Sequence, residues 1–122
     1  RQGCLEAYCS SARLSDDLGI SLETFFQRLD QGDEQCRSVW HNYLEDLATG
    51  VTTIHTILDC PVMIGGSVSQ FLPPFRTQLE SRIRELDPLS GKADFLIFCP
   101  GSSRSVCIGA ATRFLYDFVS RL

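Results

Sequence analysis

Two short apolar runs, each cut off by glycine, constrain this chain more than any other feature. Cys60-Pro61-Val62-Met63-Ile64 stops at Gly65-Gly66, and Asp94-Phe95-Leu96-Ile97-Phe98-Cys99 stops at Pro100-Gly101. Runs of this length bounded by turn residues read as buried strands. Between them the spacing predicts a helix from about residue 70 to 86, with Phe71, Phe75, Leu79, Ile83 and Leu86 on one face. Pro73 and Pro74 are compatible with it only in its first turn, where the backbone N–H groups have no intrahelical partner. Strand, helix and strand then make a right-handed parallel crossover, and the fold class is α/β. Two parallel strands make a poor sheet, because parallel strands want cover on both faces and neighbours at both edges. The remaining cover is expected from the rest of a longer protein or from a second chain.

The other elements read as helices around this unit. Ser21 is an N-cap for a short helix through Leu29, and Gly32 follows its end. A long helix is predicted from about Glu34 to Asp59. Its apolar residues Trp40, Leu44, Leu47, Val51, Ile54 and Leu58 form one narrow stripe that packs in the core or against another subunit. A final helix is expected from about Val106 to Val119, with Ala110, Ala111, Phe114, Leu115 and Phe118 facing inward. No internal repeat or low-complexity tract interrupts the pattern.

Composition narrows the class. The 122 residues fit one domain, with 43% hydrophobic and 21% charged residues, near the globular average. No apolar run approaches the roughly 20 residues of a membrane-spanning helix, and no secretory signal pattern is present, so the expected location is cytoplasmic. A net charge of −4 argues against a direct grip on DNA, whose phosphates require a basic face. Six cysteines could form disulfides, but Cys60, Cys99 and Cys107 lie in or beside apolar runs where a free thiol behaves as a small hydrophobe. Reduced thiols are the expectation. His41 and His55 read as ordinary helix histidines, and Asp16-Asp17 and Asp33-Glu34 as solvated turn and helix-start charges.

Three places could carry chemistry. Gly3-Cys4-x-Glu6 joins a thiol to a carboxylate; Met63-Ile64-Gly65-Gly66-Ser67-Val68-Ser69 sets glycines at a strand end, where backbone can approach a phosphate or ribose beside a helix N-terminus. Gly101-Ser102-Ser103-Arg104 leads into Gly109-Ala110-Ala111. On spacing alone the glycine turn is equally a tight strand-to-helix connection, and Cys4 a plain surface thiol. Arg104 is either a solvated loop arginine or an anion contact.

Taken in order, these residues resemble the ROK family of sugar kinases and sugar-responsive repressors. Gly3-Cys4-x-Glu6 is similar to the second half of its signature C-x-C-G-x-x-G-C-x-E, Gly65-Gly66-Ser67 to its G-G-G-V-S segment, and Gly109-Ala110-Ala111 to its closing G-A-A. The resemblance implies the C-terminal part of an actin-like ATPase domain, here 1–122 as one fragment truncated within the zinc-binding motif. It implies that Cys4 is one of four ligands of a structural zinc whose other ligands lie upstream, so no cofactor is expected in the fragment itself. Glu6 would accept hydrogen bonds from sugar hydroxyls, and Tyr8 and Ser10 would pack. Gly65, Gly66, Ser67 and Gly109 would line a degenerate nucleotide pocket, degenerate because Ser67 replaces the third glycine and Arg104 stands where the kinases carry an acidic loop.

Two kinds of parent follow. The favoured one is a repressor of the N-acetylglucosamine and xylose type, regulating carbohydrate genes, with a sugar or amino-sugar effector and DNA contacts through a separate N-terminal domain. The alternative is a sugar kinase using ATP and an upstream aspartate as base; a ligand-free interaction module is the third. The fragment alone is expected to be inactive and to self-associate as a homo-oligomer.

Overall fold

The structure, a computed structural model, describes residues 3–87, 91–99 and 105–120. Helices α1 (Leu5–Cys9), α2 (Ala12–Asp16), α3 (Leu22–Asp30) and α4 (Glu34–Leu58) come first. Strand β1 (Val62–Ile64), a 3-10 turn (Pro73–Phe75), α5 (Arg76–Leu86), β2 (Leu96–Phe98) and α6 (Ser105–Val119) complete the chain.

Local sequence explains most of the boundaries. The Ser21 hydroxyl accepts from the Thr24 N–H at 3.2 Å, capping α3. Gly32, at φ +88°, turns the chain where a side chain would be strained. Asp33 caps α4 by accepting from the Cys36 N–H at 3.0 Å, and α4 ends on Asp59 in the left-handed conformation. Its stripe is buried at Trp40, Leu44, Leu47 and Val51. The stripe stops there: Ile54 is half-buried and Leu58 is exposed.

The two strands are parallel, with Val62, Met63 and Ile64 in register with Leu96, Ile97 and Phe98. Ile64 and Leu96 face the core, whereas Met63 and Ile97, directly paired, are exposed. The strands are therefore covered on one face, not two. The predicted helix from residue 70 starts late. Pro73 and Pro74 form a separate 3-10 turn and α5 begins at Arg76, because two adjacent residues without N–H donors delay the regular ladder. Leu79 and Ile83 are fully buried, and Leu86, at the end of α5, is exposed.

One core joins α2 to β2. Leu14, Phe25, Cys36, Tyr43, Leu72, Leu79 and Ile83 have no exposed surface, and Phe26 bridges Trp40 and Phe71 through an edge contact and a parallel stack. His55 ties α4 to the sheet: its ring stacks on Phe95 and Nδ1–H donates to the Cys60 carbonyl at 2.9 Å. All six cysteines are free.

α6 departs from expectation. Every described side chain from Cys107 to Ser120 is exposed, including Phe114, Leu115 and Phe118, which the pattern placed inward. This helix is not packed against the described remainder of the chain, so its hydrophobicity is not matched by burial. Arg104 and Gly101 to Ser103 lie outside the described residues. Among the described residues no helix is long and apolar enough to cross a membrane.

Candidate functional site

The fold brings two of the three sequence-predicted places together. Glu6, Leu5, Cys9, Ser10 and Ser11 from the α1–α2 corner face Gly65, Gly66, Ser67 and Val68 across an open groove of about 410 Å³. The two walls are joined where the Ser11 and Ser67 hydroxyls hydrogen-bond at 2.9 Å. Ser11 had no signal in the sequence, being one of three serines in a short polar stretch, and only its partner across the groove gives it meaning.

Each wall is held from behind. On one side, Arg13 is 9% exposed and donates through Nη1 to Asp46 Oδ2 at 2.5 Å and to the Tyr8 carbonyl at 2.9 Å. Tyr43 donates its hydroxyl to the Cys9 carbonyl at 2.9 Å, and burial pushes its phenol well above the ordinary range. The Cys9 thiol is also pushed up, first by burial and then by the Asp46 carboxylate. These contacts dock α1, the carrier of Glu6, onto α4. On the other side, the buried Ser69 hydroxyl lies 2.9 Å from the carbonyls of both Gly66 and Cys99, tying the glycine turn to the end of β2.

The two glycines differ. Gly66, at φ +80°, is required by its backbone. Gly65 is not, and a Cβ there would meet nothing within 4 Å. Its neighbourhood is open on the groove side, so backbone is presented where a bound molecule could approach closely. The expected helix N-terminus is not at this turn: residues 67–71 form successive turns and α5 starts ten residues after Gly66, so the free N–H groups and dipole of a helix do not point at Gly65 and Gly66.

The other predicted residues lie apart. Cys4 is exposed immediately before α1, and among the described residues no group of three or more His, Cys, Asp or Glu could hold a metal. The donor set around Cys4 in this chain therefore does not fit a zinc site by itself. Gly109 lies within exposed α6, with open space where a Cβ would be; the close packing expected of Gly109-Ala110-Ala111 is not made, for want of a surface against it. Another groove, about 580 Å³, lies elsewhere, lined by Phe26, Trp40, His41, Phe71 and Phe75 among others. It brings together no sequence-predicted site residue.

A short helix carrying a carboxylate thus faces a glycine turn at the end of a parallel strand in an α/β arrangement. The ROK family profile matches residues 1–95, and the chain belongs to the ROK family. Gly109 lies beyond the matched residues. Among curated proteins the chain is similar to the N-acetyl-D-glucosamine kinase of Shigella sonnei, 46% identical over 63 residues, which is 50% of this chain and 20% of that protein. It is likewise similar to the N-acetyl-D-glucosamine kinase of Shigella flexneri serotype 5b, 47% identical over 55 residues, 44% of this chain and 18% of that protein. The chain thus spans about one fifth of the length of these relatives. No solved structure matches it.

Proposed function

We propose that this chain is the C-terminal part of a ROK sugar kinase with an actin-like ATPase fold, contributing one sugar contact and one wall of the nucleotide site. The observation that carries the reading is the shared groove: Glu6 and Gly65-Gly66-Ser67, about 60 residues apart in the chain, line one cavity. Phosphoryl transfer needs sugar and nucleotide held side by side. Glu6 accepts hydrogen bonds from sugar hydroxyls, and the open backbone at Gly65 lets a phosphate or ribose approach. The curated relatives, both N-acetyl-D-glucosamine kinases, favour this parent and that substrate over the repressor expected from sequence.

One observation favours the repressor as the second reading. Ser67 stands in place of the third glycine and its hydroxyl is bonded to Ser11, which narrows the turn where a nucleotide would lie. In that reading Glu6 still binds a sugar effector, and DNA is held by a separate domain. In either parent zinc would be held by Cys4 together with upstream ligands, and the exposed Met63–Ile97 face would be covered by the rest of the protein or by a second copy.

The test uses the whole protein to which the chain belongs. ADP formation that depends on N-acetyl-D-glucosamine, with kcat/KM falling about 10- to 100-fold in Glu6→Gln, is the expected result, the loss of a charged hydrogen bond being of that size. Absence of sugar-dependent ADP formation, together with DNA binding released by the sugar, would overturn the kinase in favour of the repressor.

A further inference from the structure

Gly50 sits in the middle of α4, a position where glycine costs roughly 1 kcal/mol against alanine through backbone entropy. Its φ is ordinary for a helix, so no backbone strain calls for it. The reason lies across the interface. A Cβ on Gly50 would stand 2.8 Å from Leu5 Cδ1 and 3.1 Å from Cys9 Sγ. Leu5 and Cys9 are one turn apart on α1 and bracket Glu6. The end of Leu5 could swing aside alone. Cys9 has less freedom: its thiol reaches the Asp46 carbonyl at 3.5 Å and its own carbonyl accepts from Tyr43. A side chain at 50 therefore displaces Leu5 and presses on the held Cys9, and both push α1 away from α4.

We propose that Gly50 is a positioning residue for Glu6, its bare backbone setting how deeply α1 seats and so how far Glu6 stands from the Gly65–Ser67 wall. This rests on the sugar-binding reading of Glu6. Gly50 touches no ligand; it acts through α1. A displacement of about 1 Å at a reacting site can cost about 100-fold, and a lift of a few tenths correspondingly less.

The whole protein is assayed for N-acetyl-D-glucosamine phosphorylation with Gly50→Ala and Gly50→Leu. KM for the sugar rises about 3- to 10-fold and more than 10-fold respectively, while KM for ATP stays within twofold and the thermal midpoint of Gly50→Ala does not fall, because alanine is the better helix former. In a Leu5→Ala background the effect of Gly50→Ala shrinks, as a double-mutant cycle requires of two groups in contact. A second readout is independent of activity: the 11–67 disulfide in Ser11→Cys/Ser67→Cys, followed by peptide mass, forms more slowly once Gly50→Ala is added. Unchanged sugar KM in folded Gly50→Leu, an equal rise in both KM values, or an unaffected disulfide rate overturns the proposal. If the disulfide slows while Glu6→Gln leaves sugar handling unchanged, the seating role of Gly50 stands and the sugar reading of Glu6 falls.

Discussion

The body of the molecule, α1 to β2, and helix α6 both carry patterned apolar residues, α6 more densely, and meet opposite fates. In the body, apolar residues from five helices and two strands converge on Trp40, Tyr43, Leu79 and Ile83, which are at most 3% exposed. In α6, Phe114 is 76% exposed and Leu115 63%. Periodicity marks which residues could be buried, whereas burial needs a second surface packed against them, which the helices of the body have and α6 does not. The family match ends at residue 95, so the body is also where the shared architecture lies.

Substitutions can break this comparison. The largest effect is expected in the core: Leu79→Ala should cost about 2–5 kcal/mol in urea unfolding, with loss of contacts and a partly unfilled cavity. Phe114→Ala is its counterpart and should change the same transition by less than about 0.5 kcal/mol. A large loss there would mean that α6 is packed in solution and that the contrast is false.

The next effect is at the back of the groove. Asp46→Ala removes the nearest carboxylate from Arg13, which is 9% exposed and keeps only the Tyr8 carbonyl and Asp17 at 3.8 Å, and should cost about 1–3 kcal/mol, discounted because the Asp46 carboxylate itself is 36% exposed. Its size against Leu79→Ala measures how far the α1–α2 corner depends on polar docking instead of apolar burial. Ser21→Ala should cost about 1 kcal/mol through the lost cap on α3.

The smallest effects read single groups. The Cys36 N–H holds the Asp33 carboxyl below its ordinary value of 3.8. A depressed folded-state pKa contributes stability above the unfolded value and loses it as pH falls through the folded one. Urea midpoints should therefore drop below about pH 3.8, and Asp33→Asn should blunt that dependence. Thiol alkylation should separate the regions again: exposed Cys4 and Cys107 react first, half-buried Cys9 with its raised pKa later, and fully buried Cys36 last.

Much of the fold was legible because its causes are local. Ser21 and Asp33 announce two helix starts through their own side chains, the Trp40–Val51 stripe follows from helical spacing, and both strands were found by composition. The delayed start of α5 was half visible in Pro73 and Pro74. Their rigidity was recognised, but that they precede the α-helix as a separate 3-10 turn, instead of opening it, showed only in the structure. The Arg13–Asp46 pair was not legible, because 33 residues separate two charges that each look like a solvated surface group.

By itself the sequence determined the longer helices and both strands, but not α1 or α2, along with the thiol–carboxylate and glycine-turn motifs and, through their order, the ROK resemblance. These depend on dihedral preference, capping and residue spacing, all of which act over a few positions. Only the tertiary structure decided that Glu6 and Gly65 share a groove, that Ser11 meets Ser67, that Gly50 seats α1 and that α6 lies bare. Each of these is a distance between residues far apart in the chain, and such distances are set by which surfaces find a partner.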